Sequence, residues 1–362
     1  MTLDRLLSSY DYHLPPERIA QNPVTPRDSS RLLVVDSPDS RHFATFRDLP
    51  NWLQPGDLLI LNDTKVIPAR LYGRKTTGAP VEILLLEERP DRSWLSLVKP
   101  GKRFKIGSEI AFFPKSGQTE DESALWKARV IDRDLATGGR AIEFYTPENR
   151  SFWEMLAEYG HMPLPPYVTD STAVDESYQT VYADKLGSVA APTAGLHFTP
   201  EVFRDLTEKG IETAYITLHV GVGTFRPVET ETITDHVMHK EYFEISPETI
   251  RKIAETKARG GRVIAVGTTV TRALEGAMKE TEKEELTPFQ GKTDLFVYPG
   301  YEWRVIDGMI TNFHLPKSSL MMLVSAFIGR ERLLDLYREA IEENFRFYSF
   351  GDAMLILPSA KI

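Results

Sequence analysis

The sequence predicts an α/β main domain interrupted by an inserted all-β, barrel-like domain. Between Asp57 and Tyr145, short apolar runs are separated by glycine and proline, a spacing typical of a small β-barrel or sandwich. From Ser151 onward, strand-like runs alternate with helix-like segments, as in an α/β domain. The length of 362 residues is also large for a single core. We therefore expect a discontinuous α/β domain over 1–62 and 149–362 and a β-barrel-like domain over 63–148.

The apolar runs between Asp57 and Tyr145 mark the strands that we expect just before and within the insert. We expect strands at 58–61, 81–86, 94–98, 109–113, 126–131 and 141–145, followed by a helix from Ser151 to Tyr159. Further along, Ser246 and Pro247 supply an N-cap and a first-turn proline, and Gly260 ends that helix. The remaining expectations are a strand at 262–266, a helix starting near Val270 after Gly267-Thr268-Thr269, strands at 294–298 and 305–311, helices Ser318–Ile328 and Glu331–Asn344, and a last strand at Ala353–Leu357.

The composition narrows the class of protein. Hydrophobic residues make up 41% of the sequence and charged residues 26%, which is ordinary for a globular protein. There is no cysteine, so a disulfide framework, a thiolate metal site and a cysteine nucleophile are excluded. The first 21 residues carry charges throughout, unlike a secretory signal, and the apolar run Leu320–Ile328 is too short to cross a bilayer. We expect a cytoplasmic protein.

Charge is distributed unevenly along the chain. The net charge of −9 argues against a broad nucleic-acid-binding surface. Residues 64–148, however, contain 15 Lys and Arg against 12 Asp and Glu, a net charge of +3. A polyanion should therefore prefer this segment, and a solvated barrel face is the alternative explanation for its cations. The candidate contacts lie in the stretches ARLYGRK and KPGKRFK and are Arg70, Arg74, Lys75, Lys99, Lys102, Arg103 and Lys105.

Three polar loops carry residue types that core packing does not require. They are AAPTAGLHFT at 190–199, TLHVGVGTFRPVE at 217–229 and DGMITNFHLPKSSL at 307–320. Junctions between a strand and a helix present backbone N–H groups and a helix dipole to a ligand, so we expect the three loops to share one cleft. A single histidine beside glycine is more often structural than catalytic. Their candidate residues are His197, His219, Arg226, Glu229, Asn312, His314 and Lys317.

Weaker patterns surround these loops. Gly267-Thr268-Thr269 resembles the start of a phosphate-binding turn but lacks the Gly-Lys-Ser/Thr signature. Arg27 and Arg31 could bind a phosphate or a ribose, or could pair within a surface turn. Asp63 lies at the polar end of the 58–61 strand.

A metal site is not predicted. His236, His239 and Glu241 are suitable zinc ligand types. Their spacing is a weak signal outside a predicted helix, and the neighbouring Lys240 opposes a cation. A substrate-facing loop is the better interpretation of this segment.

Ten blocks of the sequence, in this order, resemble the S-adenosylmethionine:tRNA ribosyltransferase-isomerase family. They are YDYHLPPERIAQNP, RDSSRLLV, LILNDTKVIPARLYG, GHMPLPPY, YQTVYA, VAAPTAGLHFT, TLHVGVGTFRPV, HKEYFEI, VIAVGTTVTRALE and GMITNFHLPKSSLMMLVSAF. The resemblance implies that the ribosyl group of S-adenosylmethionine is transferred to 7-aminomethyl-7-deazaguanine in tRNA, giving epoxyqueuosine with release of adenine and methionine. It also implies a monomer that consumes S-adenosylmethionine as a co-substrate and needs no cofactor or metal.

The reaction implied by the resemblance suggests a role for each of the polar candidate residues. A base must remove a proton from the carbon beside the sulfonium, adenine must receive a proton, and the wobble base must leave its stack. His197 and His219 are the leading acid or base candidates, with His314 third and Asp63 as a carboxylate alternative. Arg226 and Lys317 could bind the methionine carboxylate or a phosphate, and Glu229 could neutralise the sulfonium. Further expected substrate contacts are Asn312, Thr268, Thr269, Arg27 and Arg31.

Two other classes of function compete with this one. A non-catalytic tRNA-binding protein would retain tRNA without turnover. A methyltransferase that uses the same co-substrate would produce S-adenosylhomocysteine and leave adenosine intact. Product analysis separates the three possibilities.

Overall fold

The chain folds into an α/β unit and a β-barrel unit. The computed structural model describes residues 2–101, 104–117, 125–135, 137–221, 228–281 and 285–362. The α/β unit comprises Met1–Lys65, Pro166–Lys185 and Ala191–Ile362, and the barrel unit comprises Val66–Pro165 and Leu186–Ala190. The predicted fold class, an α/β domain with an inserted barrel, is confirmed.

The strands and helices have the following bounds. In chain order, the strands are β1 (Arg31–Val35), β2 (His42–Thr45), β3 (Leu58–Asn62), β4 (Thr64–Val66), β5 (Arg70–Lys75), β6 (Pro80–Glu88), β7 (Trp94–Lys99), β8 (Glu109–Phe112), β9 (Trp126–Arg133), β10 (Arg140–Tyr145), β11 (Gly160–His161), β12 (Lys185–Ser188), β13 (Glu212–Leu218), β14 (Glu241–Ile245), β15 (Val263–Val266), β16 (Phe289–Thr293), β17 (Gly308–Asn312) and β18 (Ala353–Ile356). The α-helices are α1 (Leu49–Trp52), α2 (Phe152–Tyr159), α3 (Pro200–Glu208), α4 (Pro247–Ala258), α5 (Thr268–Thr281), α6 (Ser319–Ile328) and α7 (Arg330–Glu342).

The α/β unit is built on one mixed sheet of nine strands. Its order is β16-β14-β13-β3-β15-β17-β18-β1-β2. The neighbouring strands β13, β3, β15 and β17 are parallel. Every residue of β3, β15 and β17 is buried, as expected for parallel strands whose two faces are both covered. Because parallel strands end at the same edge, the segments that follow β13, β15 and β17 come together there.

Hydroxyl side chains cap the starts of several helices, whereas α5 and α7 begin after a glycine. The hydroxyl groups of Thr199, Ser246 and Ser318 accept backbone N–H groups in the first turns of α3, α4 and α6, at 3.2 to 3.3 Å. Gly267 precedes α5 with a φ of +96° and has no side chain that could cap this helix. Helix α6 is almost entirely buried. Within the described ranges, no helix combines the length and apolar character that a membrane span requires.

Six antiparallel strands close into the barrel. Their order is β5-β6-β7-β10-β9-β8, and pairing of β8 with β5 completes the circle. Gly73 permits that closure, since a β-carbon there would lie 2.3 Å from the carbonyl oxygen of Ala111. The ring of Trp126 lies 4.7 Å from that of Phe144 and 5.8 Å from that of Phe112, centroid to centroid. An aromatic cluster therefore fills the interior.

Helix α2 packs in the barrel unit, although residues 149–165 were expected in the α/β domain. Phe152 stacks on Trp94 with ring centroids 5.2 Å apart and planes 11° from parallel. It also meets Trp126 edge-on at 5.4 Å. Because these contacts bury one face of α2 against the barrel interior, the barrel unit extends to Pro165.

Two predicted strands are displaced. The strand expected at 294–298 is wrong, and β16 precedes it, because the N–H of Leu295 donates to Thr293 Oγ1 (3.1 Å) and turns the chain. The strand expected at 305–311 begins three residues later, at β17. The N–H groups of Val305 and Ile306 donate to buried Glu275 Oε1 at 2.9 and 3.1 Å, so they are not available for sheet pairing.

Candidate active site

A pocket of about 480 Å³ lies beside the carboxyl ends of β13, β15 and β17. Its wall contains Val220 after β13, the turn at 267–269 after β15, and Asn312 and His314 at and after the end of β17. The segment 191–194 also contributes. All three polar loops selected from the sequence therefore reach one pocket, as expected for junctions that follow parallel strands.

Asn312 connects the pocket wall to buried His197. The Asn312 amide nitrogen donates to His197 Nε2 and to the Tyr348 carbonyl oxygen, both at 3.1 Å, and its Oδ1 accepts the Thr193 hydroxyl at 3.1 Å. Because Nε2 accepts, the ring proton lies on Nδ1, which donates to Ser30 Oγ at 2.7 Å. Both ring nitrogens of His197 are therefore occupied.

His197 lies behind the pocket wall. Its ring stacks on Phe46 at 5.0 Å, and the residue is 4% exposed. Burial, together with the nearby charges of Arg27 and Arg346, lowers the pKa of His197 to about 3. The imidazole is thus neutral at physiological pH and fully hydrogen-bonded. This geometry favours a role in holding Asn312 over direct proton transfer to a ligand.

His314 is the histidine that lines the pocket itself. Its Nε2 shares a 2.7 Å hydrogen bond with the hydroxyl of Thr311, and Nδ1 makes no hydrogen bond to any part of the chain that the structure describes. Its backbone is held on both sides, since its N–H donates to Tyr337 Oη (3.0 Å) and its carbonyl accepts from Tyr12 Oη. Burial lowers the pKa of His314 to about 3. The Thr311 hydroxyl can donate to Nε2 or accept from it, so the single ring proton of neutral His314 can lie on either nitrogen. Nδ1 can therefore accept a hydrogen bond from a ligand or donate one to it.

Sequence reasoning missed three residues of the wall, namely Tyr167, Tyr348 and Ser349. The two tyrosine rings lie 4.2 Å apart, and Tyr167 Oη shares a 2.5 Å hydrogen bond with Ser349 Oγ. Tyr348 has a φ of +73°, a strained value for a residue with a side chain. Its hydroxyl is buried and has no partner within the described ranges. No pattern in the local sequence indicates that Tyr348 reaches the pocket.

Lys317 supplies a cation to the wall just before α6. Its Nζ lies 2.6 Å from Asp11 Oδ2, and its N–H donates to the carbonyl of Tyr10 at 3.0 Å. The side chain is 44% exposed. Exposed ion pairs of this kind contribute little free energy, so a ligand anion can compete with Asp11.

His219 and Asp63 lie at the same sheet edge but outside the pocket wall. His219 Nδ1 shares a 2.8 Å hydrogen bond with Thr64 Oγ1, and burial lowers the pKa of His219 while Glu244 opposes that shift. Asp63 accepts the Thr217 hydroxyl at 2.6 Å. Burial raises the pKa of Asp63, and the bond from Thr217 partly offsets this.

Three further candidates from the sequence lie away from the wall. Arg27 donates to the carbonyl of Ser177, and Arg31 lies 3.8 Å over the ring of Phe345. Burial, together with the neighbouring charge of Arg346, lowers the pKa of Arg27 to about 10. Glu229 is exposed. By contrast, Thr268 and Thr269 both line the pocket.

The segment weighed as a zinc site is organised differently. Glu241 is buried, forms an ion pair with Arg272 and accepts the N–H of Gly221 at 3.1 Å. His236 packs edge-on against Phe296 with ring centroids 5.3 Å apart. Across the described ranges, no group of three histidine or acidic side chains is arranged to hold a metal ion. Glu241 therefore holds the backbone at Gly221.

The cations of the barrel unit differ in their surroundings. Arg70 pairs with Glu82 and donates to the carbonyl of Leu164 at 3.0 Å. Arg74 and Lys75 lie over the rings of Phe113 and Phe104, at 5.7 and 4.4 Å. The other candidates are Lys99 and Lys105, which are exposed, and Lys102 and Arg103, which lie outside the described residues, as does Arg226 of the α/β unit.

The pocket is concave, has a largely apolar wall with a few polar groups, and lies at the carboxyl ends of parallel strands, which is where α/β proteins commonly bind small molecules. The model of a family described as queuosine biosynthesis protein matches residues 7–356. The chain belongs to this family.

Two relatives of the chain carry the name S-adenosylmethionine:tRNA ribosyltransferase-isomerase. The chain is 59% identical over 374 aligned positions, covering 99% of it and 94% of the relative, to the S-adenosylmethionine:tRNA ribosyltransferase-isomerase of Nostoc sp.. It is 50% identical to the enzyme of that name from Desulforamulus reducens, and the alignment covers 97% of this chain and 99% of that relative. The crystal structure of S-adenosylmethionine tRNA ribosyltransferase from Thermotoga maritima is similar with 39% identity and a TM-score of 0.55, covering 96% of this chain and all of that one.

Proposed function

We propose that this chain transfers and isomerises the ribosyl group of S-adenosylmethionine onto 7-aminomethyl-7-deazaguanine at the wobble position of tRNA. The chain is an enzyme of queuosine biosynthesis, a transferase and isomerase that modifies tRNA. The observation that carries the detailed reaction is the 59% identity with a named relative over 99% of the chain. In this reaction the ribosyl unit forms a bond to the aminomethyl nitrogen and a new internal bond that closes its ring, while its bonds to sulfur and to adenine break.

The pocket offers groups that fit these steps. His314 is neutral, and its Nδ1 is free to exchange a proton with a substrate. Burial disfavours the imidazolium form of His314, so His314 must pass on a proton that it takes from the carbon beside the sulfonium. The departing adenine requires a proton and can receive this one. His197 would act through Asn312 by fixing the amide that forms part of the wall. We assign the acid and base role to His314 ahead of His197, His219 and Asp63.

Incubation with S-adenosylmethionine, labelled in both its adenine and methionine portions, and precursor tRNA should release adenine and methionine in equal amounts. The tRNA should gain the mass of the cyclised ribosyl unit. Liquid chromatography with mass analysis measures both quantities, and tRNA that lacks the aminomethyl group is the control.

Either competing class gives a different product. S-adenosylhomocysteine together with tRNA heavier by one methyl group would identify a methyltransferase and contradict the proposal. Retained, unchanged tRNA with intact S-adenosylmethionine would identify a binding protein. Unequal release of adenine and methionine would contradict the single coupled reaction.

We also propose that tRNA contacts the barrel unit through its exposed cations. Lys105, Arg133 and Arg140 line one depression whose described wall contains no acidic residue. Lys105 and Arg133 are exposed for contact, whereas Arg140 is 5% exposed and donates to four backbone carbonyl oxygens, so it adds positive charge to the depression without contacting tRNA itself. Lys99 is exposed at the end of β7. This arrangement supplies a local positive surface on an acidic chain.

Changing Lys99 and Lys105 together to alanine should weaken tRNA binding and flatten its salt dependence. Removal of each phosphate contact should lower the slope of log K against log salt by about one unit, because fewer condensed counterions are released. Turnover at saturating tRNA should barely change, since these cations position the substrate without meeting the reacting atoms. Filter binding over a series of salt concentrations measures the slope.

The control for this pair is Arg251→Ala with Arg338→Ala, two arginines of α4 and α7 with 59% and 67% of their side chains exposed. It removes the same charge from the α/β unit and should leave the slope unchanged. Equal slopes for the Lys99/Lys105 variant and the wild type would contradict the barrel contact. Arg27, Arg31 and Lys317 would then become the candidates for holding tRNA.

We propose further that the enzyme acts as a cytoplasmic monomer without a resident cofactor or metal, with S-adenosylmethionine as a consumed co-substrate. The monomer is what the resemblance to the ribosyltransferase-isomerase family implies. The polar groups of the pocket wall are amides, hydroxyls, an imidazole and one lysine, which suit an organic substrate better than a metal ion.

A further inference from the structure

The first turn of α5 is an unfilled hydrogen-bonding position at the pocket. Helix α5 has 14 residues, and its first two, Thr268 and Thr269, line the wall. The N-terminus of a helix carries free N–H groups and a partial positive charge that favour an anion. The N-termini of α3, α4 and α6 are capped by hydroxyl groups, whereas Gly267 leaves α5 without a side-chain cap.

Thr269 provides the second, independent observation. The residue is only 9% exposed, and its hydroxyl has no hydrogen-bond partner within the described residues. The hydroxyl lies at the pocket end of the helix, since a β-carbon on Gly267 would come 3.6 Å from Thr269 Oγ1 and equally near the Ala194 side chain. Gly267 and Ala194 also line the pocket. A buried hydroxyl without a hydrogen-bond partner costs free energy, and a ligand that accepts its hydrogen bond removes that cost.

The charge of the wall indicates the sign of that ligand. Among the described residues that form it there is no aspartate or glutamate, and Lys317 is its cation. The wall is otherwise largely apolar, with Val220, Leu315 and Leu320 among its members. Such a surface suits one small anionic group attached to an organic molecule. A run of tRNA phosphates would require a groove with several clustered cations.

We propose that the N-terminus of α5 and the Thr269 hydroxyl bind the carboxylate of the methionyl end of S-adenosylmethionine. The proposal rests on the proposed function, which makes S-adenosylmethionine a substrate of this pocket. A carboxylate has two oxygens, so it can accept the Thr269 hydroxyl and a backbone N–H of the first turn together. Gly267, which precedes this helix, has a φ of +96° that favours glycine.

The test compares S-adenosylmethionine with its decarboxylated analogue at saturating tRNA. For the wild type, the inhibition constant of the analogue should exceed the KM of S-adenosylmethionine by roughly tenfold or more, the usual effect of a charge-assisted hydrogen bond. Thr269→Val keeps the side-chain shape and removes the hydroxyl. It should raise the KM of S-adenosylmethionine by about tenfold and change the constant of the analogue less than about twofold.

Two further variants complete the test. Thr269→Ser restores a hydroxyl and should recover most of the discrimination. Thr281→Val, at the last residue of α5, removes a hydroxyl that donates to the Ala277 carbonyl and should leave both constants unchanged. Thermal unfolding verifies that each variant is folded, and if Thr269→Val does not fold, the Thr269→Ala and Thr269→Ser pair gives the same comparison.

The outcomes separate the possibilities. If Thr269→Val weakens both ligands equally, or neither, the carboxylate site is overturned while the proposed reaction stands. If it weakens tRNA binding and leaves the KM of S-adenosylmethionine unchanged, the anion is a tRNA phosphate and the proposal is wrong. Selective weakening for S-adenosylmethionine supports the site even if the product proves to be S-adenosylhomocysteine, in which case the proposed function alone fails.

Discussion

Replacement of His314 by glutamine should lower kcat by roughly a hundredfold or more, the usual contribution of a general acid or base. Glutamine retains hydrogen-bonding capacity toward Thr311 but cannot exchange a proton in the working pH range. The affinity for tRNA should change little, because His314 lies inside the small-molecule pocket. Single-turnover measurements with saturating substrates isolate the chemical step, and circular dichroism verifies folding.

The matched control is His219→Gln, which changes a histidine at the same sheet edge that lies outside the wall. Its kcat should fall much less. The wild type should also show no acid limb from His314 above about pH 5, because burial holds its pKa near 3. Near-normal turnover of a folded His314→Gln enzyme would overturn the assignment and make His219 and Asp63 the next candidates for acid or base.

Much of the fold follows from local patterns. The apolar runs of the barrel predict its strands, and the hydroxyl residues Thr199, Ser246 and Ser318 mark helix starts because they can satisfy free N–H groups. The failures have a common cause. Strand β16 reads FQGKT, and it pairs with β14 while several of its side chains face solvent, so its composition lacks the apolar signal. Val305 and Ile306 supply that signal but bond to Glu275.

The site is less predictable than the fold. Loops rich in histidine, glycine and threonine indicate where the chain meets a ligand, and segments from all three reach the pocket. Sequence alone does not tell which histidine is enclosed, because that depends on partners distant along the chain, such as Ser30 and Asn312 for His197. Tyr348 is missed for the same reason, since its place in the wall follows from a backbone conformation that Asn312 and Phe313 hold.

Asn312→Asp should destabilise the enzyme by about 2 to 6 kcal/mol at pH 7.5, because two buried acceptors lose their donor. The carboxylate has nearly the shape of the amide but no N–H to give to the Tyr348 carbonyl or to His197 Nε2. The site is 3% exposed, so water cannot replace these bonds easily. Urea unfolding at pH 7.5 gives the difference in free energy, and kcat should fall with it as the wall loosens.

The pH dependence of the destabilisation by Asn312→Asp tests whether it arises from the lost hydrogen bond to His197. In the wild type, the pKa of His197 is lowered from 6.5 to about 3, so the unfolded chain binds a proton below pH 6.5 that the folded chain refuses, and stability falls as the pH falls. In Asn312→Asp, either His197 or the new carboxyl takes up a proton in the folded state. The stability gap to the wild type should therefore narrow below pH 6.5, by up to about 1.4 kcal/mol per pH unit. Asn312→Ala removes the donors without adding charge, and its gap should stay nearly constant. A gap for Asn312→Asp that is equally constant down to pH 5 would show that His197 and residue 312 are not in direct contact.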